Sequence, residues 1–253
     1  MSSDLWLVPR QIRYENRAFW RNPAAAFVTF AFPLIFMVVF NAIFGSQEIS
    51  AGLKAATFYT PAIVAFSVVN ACYTNLAMGI TAVREEGILK RVRGTPMPAW
   101  VYLVGRMGES VLVGLLLVLV VSVFGAVVYG VPFPFERLPE LLLVLLVGSA
   151  CFCGLGLFVS GLVPNERAAP AVVNATILPL LFISDVFVKL PPDNALAQVA
   201  NVFPVRHLAL ALQSIWTPEA SGALNLTDVA WICGWAVIGL LLALRTFSWE
   251  PKG

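Results

Sequence analysis

The sequence predicts an all-α integral membrane protein: six transmembrane helices, preceded by an interfacial amphipathic helix, with short re-entrant helices before the last span. Three observations predict it. First, 59% of the 253 residues are hydrophobic and 12% are charged, against about a quarter charged in ordinary soluble domains; mean hydropathy is +0.85. A soluble fold of this length needs far more polar surface, whereas lipid accepts apolar side chains on the outside of the molecule. Second, six apolar stretches reach the roughly 20 residues that a helix needs to cross a hydrocarbon core about 30 Å thick. Third, with the N-terminus inside, twelve of the 16 Lys and Arg residues fall on one face, and only Lys54, Arg137, Lys189 and Arg206 on the other. That asymmetry marks the cytoplasmic side, and an even number of spans then puts both termini in the cytoplasm.

Each element follows from its own stretch of residues. In Leu5 to Asn22, Leu5, Trp6, Ile12, Phe19 and Trp20 alternate with Arg10, Arg13, Arg17 and Arg21. A helix of that pattern lies on the inner surface, aromatic residues at the headgroup boundary and Arg toward anionic lipid; the alternative is a simple membrane-proximal tail. These charges, with no small-residue cleavage site after the first apolar run, lead us to expect that the N-terminus is not a cleaved signal. Pro23 breaks the chain before the first span. The spans are expected at Ala24–Phe44, Thr57–Val83, Gly108–Tyr129, Leu138–Leu162, Ala168–Val188 and Val229–Phe247, forming one transmembrane domain over residues 1–253. Two connections stand out. Residues 84–106 are basic and cytoplasmic. Residues 189–228 lie outside and hold Pro191, Pro192, Pro204 and Pro218. Their apolar run Val202–Trp216 is too short to span and reads as a re-entrant or interfacial helix pair; a soluble cap is the alternative.

The inner connection carries the densest pattern. Arg84, Glu85 and Glu86 extend the second span into the cytoplasm, and Gly87 permits a bend. Ile88, Leu89 and Val92 form a short apolar stripe flanked by Lys90, Arg91 and Arg93, and Gly94 and Pro96 stop the helix. A short amphipathic rod joined to two spans can seat its stripe in a partner's groove while its charges set the register. An ordinary positive-inside loop has the same composition, and chemistry alone leaves the two open.

The run Glu85-Glu86-Gly87-Ile88-Leu89-Lys90-Arg91-Val92-Arg93-Gly94-Thr95-Pro96 resembles the cytoplasmic signature of ABC-2 type membrane subunits, the permease halves of ATP-binding cassette exporters. Phe19-Trp20-Arg21-Asn22-Pro23, followed by an apolar span with Pro33, is similar to the N-terminus of that family, and so is the overall layout. Within the family the chain looks closest to the daunorubicin-resistance-type drug and lipid exporters. The resemblance implies two membrane subunits, identical copies or paralogues, around a central pathway. Each would dock an ABC ATPase subunit through the inner connection, the coupling helix, here Arg84 to Arg93. It further implies that Glu85 and Glu86 meet basic groups of the partner while Ile88, Leu89 and Val92 fill its groove. The Asn165-Glu166-Arg167 turn would add a minor contact. The importer motif of such permeases is not seen.

The remaining polar residues offer few further sites for chemistry. No Gly-x-x-x-x-Gly-Lys-Ser/Thr phosphate loop is present, so no catalytic role or bound cofactor is expected here, and ATP and Mg belong to the partner. The basic residues do not cluster as nucleic-acid binding requires. Intramembrane polar groups mark candidate substrate paths, which selects Asn70, Asn174 and Asp185. Asp185 either binds a cationic group, pairs with a basic residue, or reaches water at headgroup level. Asn41, Asn70, Asn75 and Asn174 also suit helix-to-helix hydrogen bonds. Glu109 is expected to pair locally with Arg106. His207 has no ligand-spaced partner. Cys72, Cys151, Cys153 and Cys233 read as small apolar residues. The expected function is the permease subunit of an ATP-driven exporter of amphipathic or lipid-like substrates in the cell (inner) membrane. The alternative is a non-transporting anchor for a cytoplasmic partner.

Overall fold

A computed structural model describes residues 5–45, 48–50, 53–187, 195–217 and 224–250. Among them, six helical segments are long and apolar enough to cross a bilayer. Helix α1, Leu7–Trp20, precedes the first of these, α2, Pro23–Phe44. Asn22 caps α2 by accepting from the Ala25 N–H at 3.2 Å, and Pro23 occupies its first turn, where the missing N–H costs nothing. A small antiparallel pair, β1 (Glu48–Ser50) and β2 (Leu53–Lys54), leads into the second span.

That span is one continuous helix in three parts: α3, Ala55–Val69; a π-helical stretch, Asn70–Asn75; and α4, Leu76–Glu85. It is the most enclosed of the six, with 72% of its apolar window buried, against 22% for the first and fifth spans. The first, third, fourth and fifth spans pack against it, while the last span packs against the fourth. After a corner holding α5, Ile88–Arg93, comes α6, Ala99–Tyr129, whose 31 residues extend about 46 Å. Helix α7, Leu138–Leu162, and α8, Ala169–Ile183, follow. Next come the short α9, Ala195–Ala200, and α10, Pro204–Trp216, and then the last span, α11, Leu226–Thr246.

The closest helix pair is α7 with α11. A Cβ on Gly239 would meet the Leu155 backbone nitrogen at 3.0 Å, and one on Gly154 the Leu240 nitrogen at 3.1 Å. Small residues at such contacts let two backbones approach in lipid, where no hydrophobic drive joins them.

Two span boundaries differ from expectation by more than three residues, the others by at most three. The third span begins at Ala99 rather than Gly108, because no helix breaker follows Pro98 and Arg106 is internally paired. The inner connection is correspondingly shorter than residues 84–106. The fifth span ends at Ile183, with Ser184 and Asp185 in a turn where Asp185 has φ 58°; Val188 lies outside the described residues. In the 189–228 segment, expected to hold a re-entrant or interfacial helix pair, α10 is enclosed by the bundle. Twelve of its thirteen residues are buried, and it packs among α3, α7 and α11. Lys189, Pro191, Pro192, Pro218 and Lys252 lie outside the described residues.

Candidate functional site

The basic end of the bundle holds the corner between the second and third spans. Helix α4 ends at Glu85, and the chain reverses at Gly87, φ 69°, a left-handed conformation that only glycine adopts without strain. Helix α5 runs from Ile88 to Arg93 and closes on Gly94, and Pro98 in extended conformation starts α6.

The rod is amphipathic, but its apolar stripe faces the chain itself. Leu89 is fully buried, Val92 packs against the same core, and Ile88 is half-buried. Glu86, Lys90, Arg91 and Arg93 are exposed, Gly87 is intermediate, and Glu85 is half-buried with an oxygen 3.9 Å from Arg84 Nε. Arg84 is 1% exposed. Its Nη1 donates to the Ser160 carbonyl at 2.8 Å and its Nη2 to the Val163 carbonyl at 2.6 Å, at the C-terminal end of α7. Helix ends leave carbonyls unpaired and carry negative partial charge, so a guanidinium there satisfies both needs. Two of the ten residues expected to touch a partner, Arg84 and Leu89, are thus turned inward, and the surface offered outward is charged rather than apolar. The physical reason is that a six-residue helix at a corner must first cover the ends of the spans it joins.

Helix α1 braces this end by packing along α6. Glu15 Oε2 sits 2.9 Å from Arg106 Nη1, and Gln11 Nε2 donates to Glu15 Oε1 at 2.7 Å. Gly105 and Gly108 make room: a Cβ on either would run into the Gln11 or Ile12 side chain. The expected Arg106–Glu109 pair is replaced by this longer-range one, because α1 brings a better-placed carboxylate over the α6 surface. The outward side of α1 exposes Trp6, Tyr14 and Trp20, with Arg10 over the Trp6 ring at 3.9 Å. That is the layout expected of an interfacial helix.

Of the pathway candidates, Asn70 opens the π-helical stretch and Asn174 lies within α8, both half-buried. Near that level Tyr73 Oη and Thr176 Oγ1 are 2.6 Å apart, tying the second span to the fifth. Asp185 is 3% exposed and does not reach water; its Oδ2 is 2.9 Å from Arg206 Nε. Asn75 donates to Thr29 Oγ1 at 3.3 Å between spans, whereas Asn41 bonds within its own helix to Met37.

The sequence reading missed a second lock at this far end. His207 Nδ1 is 2.6 Å from Asp228 Oδ1, and Nε2 is 2.8 Å from the Asn201 carbonyl. Both partners accept, so the contacts are satisfied together when both ring nitrogens carry protons. The ring lies flat against Trp231, at 5.4 Å and 3°. Arg206 also donates to the Ala197 carbonyl. Residues 206 and 207 of one helix therefore hold the end of the fifth span and the start of the sixth. Separations of 21 residues in both pairs hid them from any local spacing rule.

The family model described as ABC-2 type transporter matches residues 10–216, from α1 through α10. No curated protein matches the chain.

Proposed function

The chain belongs to the ABC-2 type transporter family, and from that premise we propose that it is the permease subunit of an ATP-driven exporter whose motor is a separate ABC ATPase chain. Members of this family supply the transmembrane, non-catalytic part of an ABC transporter, and this multi-pass membrane protein has the six spans that role needs. The basic end is the cytoplasmic one in this reading, which the Lys/Arg asymmetry supports. Two permease subunits, identical or paralogous, enclose the pathway, and motor closure pushes on α5 to rock the spans by alternating access. Amphipathic or lipid-like molecules are the cargo, since a pathway enclosed by two such Val-, Leu- and Phe-rich membrane subunits would suit apolar bodies better than ions. Asn70, Asn174 and Asp185 are the polar points of that pathway, Asp185 through its Arg206 pair.

One observation carries the docking reading. The corner helix presents Glu86, Lys90, Arg91 and Arg93 outward while Leu89 and Val92 bind it to the bundle. A rod anchored by its apolar side transmits a push that a free loop would absorb. The partner surface is therefore acidic where it meets Lys90, Arg91 and Arg93. The test is to tag the chain, extract it gently and identify what co-purifies. Wild type brings down an ABC ATPase, and a variant carrying Glu86→Ala, Arg91→Glu and Arg93→Glu loses it without a change in melting temperature. Recovery of the chain with no ATPase under several mild detergents favours the non-transporting anchor. A recovered complex whose ATPase activity ignores added amphiphiles points the same way.

A further inference from the structure

A cavity of about 390 Å³ opens at the basic end between α2, α4 and α6, beneath the junction of α1 and α2. That volume falls within the range of small-molecule sites. Its lining combines polar residues, Asn22, Thr29, Asn75, Arg106, Glu109 and Ser110, with apolar ones such as Phe19, Met78 and Val113. Asn75 is the last residue of the π-helical stretch, and such local widening of a helix recurs at functional sites because it re-aims side chains. Thr29 lies about 9 Å along α2 from its first residue, so the cavity sits at headgroup and upper-chain depth in the leaflet at the basic end.

Its two charges attract one another but form no ion pair. Arg106 and Glu109 are the ionisable residues in the lining. Arg106 is already neutralised by Glu15 from outside the cavity, at 2.9 Å. Glu109 is 7% exposed, and among the described residues no basic nitrogen lies within the 4.0 Å of an ion pair from its carboxylate. A buried carboxylate without a cation is costly, and this one borders a space open to a ligand.

We propose that this cavity binds the protonated amine of an amphiphile, with Glu109 pairing the ammonium, Asn75 and Ser110 accepting its remaining hydrogens, and Met78 and Val113 taking the first methylenes of the apolar body. The site is a property of this chain alone, so its test needs no motor, and its failure would leave the docking proposal untouched.

The full-length chain is placed in phosphatidylcholine nanodiscs with a diazirine-bearing alkylamine, and photolabelled peptides are mapped by mass spectrometry. Labelling is expected on residues 76–79 and 109–113, competed by dodecylamine and not by dodecanol, its uncharged counterpart. Glu109→Gln lowers the competed labelling at least about tenfold, whereas Glu109→Asp retains most of it. Should Glu109→Gln fail to fold, Val113→Trp, which fills the cavity and keeps the charge, is expected to abolish the same labelling. Adding phosphatidylethanolamine to the nanodiscs identifies the source: competition assigns the site to an amino-lipid, and no competition assigns it to a free amphiphilic amine. Equal competition by dodecanol and dodecylamine, or wild-type labelling of a folded Glu109→Gln variant, overturns the proposal.

Discussion

Replacing Arg84 by Ala unlatches the second span from the fourth, because this side chain bridges two carbonyls at the end of α7. Each bond has a charged donor, and such bonds contribute about 1.5–3 kcal/mol when both partners are buried. With Arg84 at 1% exposure, the freed carbonyls meet water only through the space the side chain vacates. That partial rehydration brings the expected loss to about 3 kcal/mol, the lower end of the range for two such bonds. Arg84→Lys keeps the charge, but a single ammonium cannot reproduce the fork of the guanidinium, so about half the loss remains. Thermal melts in nanodiscs followed by circular dichroism report the stability, and affinity for the co-purifying ATPase is measured on the same samples per folded molecule. Arg84→Ala is expected to melt well below wild type while its folded fraction keeps the partner affinity within about twofold. The opposite pattern, an unchanged melt with affinity down about tenfold or more, would show that Arg84 swings out to the partner and would refute the latch.

Three further outcomes are expected. Glu15→Gln and Arg106→Gln should each cost about 3–5 kcal/mol in the melt, since each strands a buried charge. The double variant should cost less than the sum by about 0.5–3 kcal/mol, and strict additivity counts against the pair. At Gly87 a Cβ has open space, nothing lying within 4 Å, but φ 69° is unfavourable for alanine. Gly87→Ala should therefore re-aim α5 at a cost of about 1–2 kcal/mol and weaken ATPase affinity, with Gly87→Asn, more tolerant of that conformation, falling between. At the far end, His207→Phe keeps a ring against Trp231 but strands Asp228, so it should lower stability by about 1–3 kcal/mol and shift tryptophan fluorescence. His207→Phe combined with Asp228→Leu should regain part of the loss.

The spans were legible because their signal is cumulative. Twenty apolar residues in a row read as a helix in lipid whatever their order, and the fourth span, Leu138–Leu162, was placed to the residue. Boundaries set by tertiary partners were not legible. Arg106 reads in sequence as the edge of a loop, yet it lies seven residues inside α6 because Glu15, 91 positions earlier, neutralises it. The same blindness affected the corner helix. Its period identified Ile88, Leu89 and Val92 as one face, but period alone cannot say whether that face meets a partner or the protein's own core. Only packing assigns Leu89 to the core and Lys90 and Arg91 to the surface. His207 looked solitary because its partners stand on another helix and on a backbone carbonyl, and neither leaves a trace in local spacing.

The distribution of these locks bears on how such a bundle can move. Charged contacts lie at its two ends: Arg84 and the Glu15–Arg106 pair at the basic end, Asp185–Arg206 and His207–Asp228 at the other. Between them the spans touch through glycines, as at Gly154 and Gly239, and through rings such as Phe36 and Phe66, whose centroids lie 5.5 Å apart. Charge is cheapest where headgroups and water are near, and dispersion contacts suit the hydrocarbon centre. The consequence is a division of labour. The end locks fix which helices travel together: α1 with α6, the second span with α7, and α10 with the flanking spans. Among the described residues the middle is bridged by neutral side-chain hydrogen bonds, Tyr73 to Thr176 and Asn75 to Thr29, which are weaker than the charged end locks and so easier to reset when one group shifts against another. A push at α5 reaches α4 and α6 on either side of the corner, and through Arg84 it reaches α7. Cutting the Arg84 latch should then weaken transmission to the fourth span even in molecules that remain folded and bound to the proposed ATPase. A cysteine cross-link between α4 and the end of α7 should restore it.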